Sequence, residues 1–594
     1  MKYRHVIAAL TVSVAATFGP AYGQTTQGQS VGAALVAAPV SAQQAADTIY
    51  FGGDILTMEG KAPRYVEALA VKDGRITFAG AISDAGRWKG PNTHEVNLAG
   101  QTLLPGFIDG HSHIFLHVEN QDWADLSSAP VGTTNNFDDI IRALKAKQKE
   151  LGADETEWLI GSGYDESLLD EKRHPTAADL DKAFPNTPVL LFHVSGHIFI
   201  VNSAGLKAKG VNAGTPDPSG GVIVRLPNSR EPSGELQENA RFPFLDVIVK
   251  DRPIDESANK LAKSFAYYAQ NGVTTVQEGG LQETHLPVLR AVAERGEMTL
   301  DFVGLVFQPV AEKLIAEGNT QWGVYEKGVK LAGIKITIDG SPQGKTAYLS
   351  KPYLTPVPHC HGDCRGVSAL TAEEVKELML LSYQNNVQVY AHCNGDAAVD
   401  LMLAGHEYAL DQMKEDPKAK DRRTVIVHSQ VMRPDQLDAY AKYRIVPSFF
   451  TNHTYFWGDA HRANLGEERG AFISPMRSAI DKGIRVANHT DYSVTPVNQM
   501  FVVWSAVNRI TRTGSVIGPE ERITPYEALQ AITINGAYMY FEEDGKGSLE
   551  PGKVADLVIL DRNPLKVDPL AIKDIKVMET IKAGKTVFTL ENAR

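Results

Sequence analysis

The sequence predicts an α/β protein: a (β/α)8 TIM-type barrel, flanked by a β-sandwich made from both chain ends and carrying an inserted subdomain after the first strand. Three observations predict it. Apolar runs bounded by turn residues recur eight times through the middle of the chain, near 103–109, 272–278, 300–307, 333–339, 387–392, 424–428, 444–450 and 484–489. Helix-length amphipathic segments separate them, for example 259–270, 372–385 and 434–442. Short β-type runs with tight turns mark the two ends of the chain.

Taken in order, the first element lies outside the fold. Lys2, Arg4 and His5 form a short basic region, Val6 to Phe18 is a short apolar run, and Ala21-Tyr22-Gly23 supplies small residues at cleavage-site spacing. Residues 1–23 therefore read as a secretory signal, too short in its apolar part to span a bilayer comfortably. No cysteine follows to accept a lipid. Secretion across an inner membrane into a periplasm is the expectation. Residues 24–46, rich in Ala, Gln, Gly and Ser, read as a flexible leader.

From Asp47 the texture changes. Thr48 to Phe51, Val66 to Val71 and Ile76 to Phe78 are β-type runs, and Lys72-Asp73-Gly74-Arg75 is a hairpin signal. Asp556 to Leu560 and Ile581 to Phe588, around Gly584-Lys585, have the same character. The sandwich is thus expected from 47–104 and 541–594, with the barrel over 105–540. The stretch 115–258 is too long for one connection and has β-type runs of its own at 157–160 and 188–193. It is read as a subdomain over the barrel mouth.

With 43% hydrophobic residues the 594-residue chain can bury a large core, and its charges are dispersed. A net charge of −12 argues against nucleic acid or an anionic membrane as main partner, since both need a concentrated positive field. No further stretch is long and apolar enough for membrane insertion. A small-molecule substrate is expected, and a homodimer is left open. Three cysteines are too few for a disulfide scaffold. Cys360 and Cys364 lie in one turn-rich loop, where a local disulfide is favoured over zinc in an oxidising compartment.

The run that carries most chemistry is Leu103 to His113, an apolar strand ending in His111-Ser112-His113. Alternation along a strand would put both imidazoles on one face, able to grip one cation. Ligand-type residues recur at the ends of later strands: His392 after 387–391, His428 after 424–427, and Asp491 after 484–489. Barrel enzymes assemble sites from such strand ends. In Gly333 to Asp339 the isoleucines alternate with Lys335, Thr337 and Asp339, so Lys335 points into the barrel. A buried lysine is costly unless paired or chemically changed, and from the strand alone a salt bridge to Asp339 is as well supported as a metal role.

This constellation resembles the amidohydrolase superfamily, and within it the amidohydrolase-3 (YtcJ-like) group, which includes an N-substituted formamide deformylase. Beyond the ligands, Ser195-Gly196-His197 with Val201-Asn202-Ser203-Ala204, Pro232 to Glu238, Asp339-Gly340-Ser341, Thr346-Ala347 and Gly547 to Leu557 match the group's pattern. The resemblance implies that His111 and His113 hold one divalent ion, and that a carboxylated Lys335 bridges to a second held by His392 and His428. It implies that Asp491 contacts the first ion and the attacking water, with Asp491 and His428 as catalytic residues and zinc as the expected metal. It also implies substrate-facing roles for His197 and Glu238. Asn488-His489-Thr490 stands where many relatives have Gly-Ser, so His489 is either an extra polar group at the site or part of its shell. His193 is read as structural, Cys393 as packing, and Tyr455 to Trp457 as pocket lining or packing.

The function expected is hydrolysis of a carbon–nitrogen bond other than a peptide bond, of amide type, with N-formyl or N-acyl amines as candidates, by a metal-activated water. One alternative is a mononuclear deaminase of a nitrogen heterocycle, which would lack the bridging lysine. The other is a non-enzymatic binding protein akin to an exoenzyme regulator, against which the full ligand set argues.

Overall fold

The computed structural model describes residues 45–250, 252–357 and 360–591. The signal expected over 1–23, and the leader up to residue 44, lie outside the described residues. Among the described residues no helix is long and apolar enough to cross a membrane.

Eight parallel strands form the central sheet: β1 Phe107–Ile108, β2 Val273–Leu281, β3 Asp301–Phe307, β4 Val329–Thr337, β5 Gln388–Cys393, β6 Val425–His428, β7 Val446–Phe449 and β8 Ala487–Asn488. They pair in chain order, each with the next. The end strands meet through single bonds instead of a ladder. Gly110 N–H donates to the Asn488 carbonyl at 3.3 Å, and Asp491 N–H donates to the His111 carbonyl at 3.0 Å. Helices follow the strands, among them His285–Glu294, Gln308–Glu317, Ala372–Gln384, Asp396–Met413 and Pro434–Tyr443. This is a TIM-like α/β fold.

The residue patterns explain the layers. On β4, Ile334 and Ile336, with Ile338 beyond it, pack in the same apolar cluster as Leu378 and Val399 of the outer helices. The opposite face of the sheet contributes Val303, Leu305, Tyr390, Val425 and Val427, which fill the barrel with Tyr540. Helix 372–384 starts where the sequence supplies a capping box, Thr371 with Glu374.

The strands from the two chain ends lie in one hydrogen-bonded sheet of eight strands. Its hairpins form at the expected turns. Lys72 pairs with Arg75 across Asp73 (φ 48°) and Gly74 (φ 74°), and Lys582 pairs with Lys585 across Ala583 (φ 47°) and Gly584 (φ 74°). Both central residues of such a two-residue turn need positive φ. Tyr50, Leu69 and Val71 share one apolar cluster with Leu557, Ile559 and Ile581.

The apolar run expected as a single strand over 103–109 is divided between two sheets. Thr102–Pro105 pairs with Asp54–Ile55 and with Leu557–Leu560 in the end sheet, whereas Phe107–Ile108 is β1 of the barrel. Gly106 sits at the junction, where a Cβ would come within 2.3 Å of Thr274. Only glycine lets the backbone pass this close. In the chain between β1 and β2 stands a six-stranded sheet whose edges are Ala124–Asp125 and Gly221–Arg225 and which includes Leu159–Tyr164, Val189–His193 and Pro232–Glu238. The disulfide between Cys360 and Cys364 is formed.

Candidate metal centre

The strand ends of the barrel converge on Asp491. Strand β1 stops at Ile108, so His111 and His113 stand on the irregular segment after it and not on an alternating strand as expected; His113 caps helix Ile114–Asn120. What aligns them is lacing to the last strand's exit. Asp109 accepts from Thr490 N–H at 3.0 Å and from the Thr490 hydroxyl, and His113 N–H donates to the Tyr492 carbonyl at 2.9 Å. Asp491 (φ 51°) and His428 (φ 77°) both have left-handed backbone, a conformation side-chain-bearing residues adopt at a cost and that concentrates at functional sites.

Second-strand residues orient the two histidines. His111 Nδ1 lies 2.5 Å from Gln277 Oε1, an acceptor, so the ring carries its proton there and leaves Nε2 with a lone pair. His113 Nδ1 lies 3.2 Å from Glu278 Oε1. The Nε2 atoms then face one oxygen: His111 Nε2, which also accepts from Lys335 Nζ at 3.0 Å, is 3.7 Å and His113 Nε2 3.6 Å from Asp491 Oδ1. Burial and the nearby Lys335 push His111 well below the usual imidazole range, so a proton does not fill the gap. An imidazole held from behind by a carboxylate or amide, with its other nitrogen turned toward a carboxylate, is the usual arrangement around a bound metal.

On the other side, His428 Nε2 lies 3.9 Å from Asp491 Oδ2, and its Nδ1 lies 3.1 Å from His489 Nε2. His489 Nδ1 in turn reaches Ser448 Oγ at 2.9 Å, so His489 belongs to the shell behind His428. His111, His428 and Asp491 bring three donor atoms within 4.8 Å of one another. The His392 ring is 4.5 Å from that of His428; its Nδ1 lies 3.3 Å from Asp339 Oδ1, and Asn394 Nδ2 lies 3.4 Å from its Nε2. Lys335 points inward as expected. Its Nζ is 3.0 Å from His111 Nε2, and burial, only partly offset by Asp491 and Glu278, pushes its pKa down to about 8. It does not pair with Asp339, whose carboxylate instead accepts from the backbone of Asn394, Gly395 and Tyr348. The residues present fit a cation-binding centre: neutral imidazoles, one carboxylate and an amine easily made neutral.

The centre opens into a cavity of about 930 Å³ floored by His111, His113, Lys335, His392, His428 and Asp491. Apolar side chains such as Phe115, Phe192, Phe199 and Phe242 line much of it. His197, from the insert, lines it too, with its ring 4.9 Å from that of His392. Glu238 lies behind His197, accepting from its Nδ1 at 2.8 Å, and does not line the cavity. Cys393 is fully buried in the outer apolar cluster. Gln277 and Glu278 are the site residues the sequence reading missed. They close the apolar run 272–278 in the sequence, although the strand itself continues to Leu281, so the rule that found His392 and His428 applies to them as well. Gly279 adds a steric condition: a Cβ there would come 2.1 Å from His111 and 2.9 Å from His113.

A family described as "Amidohydrolase family" matches residues 94–588. The chain is 28% identical to YtcJ of Bacillus subtilis (strain 168), over 91% of this chain and 99% of the relative. It is 25% identical to the N-substituted formamide deformylase of Arthrobacter pascens, over 91% of this chain and 98% of that enzyme. Among solved structures, an uncharacterized metal-dependent hydrolase from Pyrococcus horikoshii OT3 matches with a TM-score of 0.68 and 22% identity, over 88% of this chain and 99% of that one.

Proposed function

We propose, from the premise that the chain belongs to the amidohydrolase family, that it hydrolyses an amide-type carbon–nitrogen bond of a small molecule, with N-formyl and N-acyl amines as the candidate substrates. The observation that carries this is the turning of His111 Nε2 and His113 Nε2 onto one Asp491 oxygen while Gln277 and Glu278 hold the rings from behind. His111, His113 and Asp491 would hold one divalent ion, and His392 and His428 a second, with a carboxylated Lys335 between them; zinc suits this imidazole-rich set. Bound there, the ions would lower the pKa of water and polarise the scissile carbonyl.

The chain's own groups supply the rest. Asp491 takes the proton of the attacking water and returns it to the departing nitrogen. Burial raises its pKa, against the pull of His113 and Lys335, which suits a group that must hold a proton between the two steps. His428, kept neutral by burial and by its histidine neighbours, is placed to accept a hydrogen bond or a cation but not to contribute charge. His197, with its Nδ1 on Glu238, stands across the cavity where a substrate carbonyl or amide would lie. The apolar lining favours substrates with a hydrocarbon or aryl substituent.

The test is a hydrolysis screen of formamides, acylated amines and N-acyl amino acids, with metal-loaded and chelator-stripped protein and with Asp491→Asn. Turnover of at least one class should require metal. In Asp491→Asn it should fall by ~10²–10⁴-fold while most of the metal stays. Full turnover in that variant would remove Asp491 from the proton path.

A further inference from the structure

The insert holds a second convergence of ligand-type side chains, separate from the barrel cavity. Glu166 and His174 lie on the loop that follows strand Leu159–Tyr164, and His193 ends strand Val189–His193. Their donor atoms lie within 4.8 Å of one another, and none of the three lines the cavity. We propose that Glu166, His174 and His193 form a divalent-cation site of the zinc class, which pins this loop to the strand end.

Both imidazoles are anchored through the nitrogen far from the carboxylate. His174 Nδ1 bonds to the Tyr164 hydroxyl at 3.0 Å, and His193 Nδ1 to Ser195 Oγ at 2.7 Å with the Ser195 N–H at 3.2 Å. Both Nε2 atoms are thereby turned onto Glu166. Hydrogen bonding satisfies one of them: His193 Nε2 lies 2.7 Å from Glu166 Oε2. His174 Nε2 is 3.7 Å from Oε1, beyond hydrogen-bond distance. A tetrahedral ion with ligands at about 2.1 Å holds its donors about 3.4 Å apart, a value these two distances bracket. Small side-chain shifts therefore admit an ion. Ion binding would move the His193 proton from Nε2 to Nδ1, where it donates to Ser195 Oγ in place of the bond that Nδ1 accepts from Ser195 N–H.

The charge is suitable as well. Glu166 brings one carboxylate to the two imidazoles that face it. Two imidazoles with one carboxylate select zinc, cobalt or nickel over magnesium or calcium. The side chains of Glu166 and His174 are 20% and 13% exposed, which lets an ion enter and water complete its shell. His193 is followed two residues later by Ser195, whose hydroxyl accepts from His197 N–H at 3.2 Å. The ion would thus stiffen the turn that carries His197 over the cavity.

The experiment uses full-length protein equilibrated with Co2+ or Zn2+, with metal per chain counted and the visible spectrum of the cobalt form recorded. His174→Gln, a partly exposed change that should fold, is compared with wild type, and Glu166→Gln provides a second variant. Each should hold one ion fewer per chain than wild type and lose one component of the cobalt spectrum, while His111→Ala retains that component. Equal metal content in wild type and both variants would overturn the proposal and leave the triad an ion pair. Because the barrel ions are counted separately by His111→Ala, failure here and failure of the barrel reading give different results.

Discussion

With its Nζ 3.0 Å from His111 Nε2 and its pKa brought down to about 8 by burial, Lys335 is close to the neutral amine that can take up CO2. As an ammonium between two divalent ions it would add repulsion, whereas a carbamate brings a negative charge and two oxygens. Lys335→Ala should therefore lower the metal content by one ion per chain and remove most activity, and a small added carboxylic acid should restore part of both. Two ions and normal turnover in that variant would refute the bridge. A second expectation concerns shape alone. Gly279→Ala places a Cβ against both imidazoles, while at Gly280 the nearest atoms would be 3.9 Å away. Gly279→Ala should cost metal affinity and turnover with every ligand still present, and Gly280→Ala should change neither; metal titration of the two decides it. His111, His392, His428 and Asp491 were legible in the sequence because ligand-type residues sit at strand ends. Gly279 was not, since the constraint comes from rings more than a hundred residues away in the chain.

At the scale of elements, the hairpins and capped helices were legible because their signals are local: Asp73-Gly74 for a turn, Thr371 with Glu374 for a helix start. The division of 103–109 was not, since both sheets draw on the same apolar residues and only the approach of Thr274 to Gly106 marks the break. Contacts between elements were equally silent. Asp301, at the start of β3, receives Lys546 and Lys582, and Lys582 also reaches Asp556 at 2.7 Å. This network fastens the barrel to the end sheet. Burial pushes the Asp301 carboxyl up, but the two ammonium groups bring it below its ordinary value. A depressed carboxyl contributes stability that is complete above its unfolded pKa of about 3.9 and fades as pH falls toward the folded value. Asp301→Asn leaves Lys582 with Asp556 and Lys546 with Glu542, so it should cost about 1.5–3 kcal/mol at neutral pH, the range for a lost hydrogen bond between charged groups. The gap between wild type and variant in denaturant unfolding should narrow below about pH 4. A gap that stays constant through acid would show that the carboxylate charge is not what matters.

For the whole molecule, repetition of strand and helix announced the barrel, and the excess length of 115–258 announced the insert. How the insert's sheet brings His197 to the cavity was hidden, because it depends on long-range pairing between Ile198–Ile200 and Glu235–Gln237. The export reading predicts that mature protein starts near Gln24, and N-terminal sequencing of periplasmic material would check it; an intact Met1 on active protein would contradict it. The end sheet has one more consequence. Thr102–Pro105 is flanked on one side by Asp54–Ile55, made shortly before it, and on the other by Leu557–Leu560, made more than 400 residues after it. A ribosome adding about 5–20 residues per second keeps that early strand waiting for tens of seconds with an open edge. During that wait it is an adhesive surface for any neighbouring chain. The yield of folded protein then depends on how well that edge is guarded until Leu557–Leu560 is made.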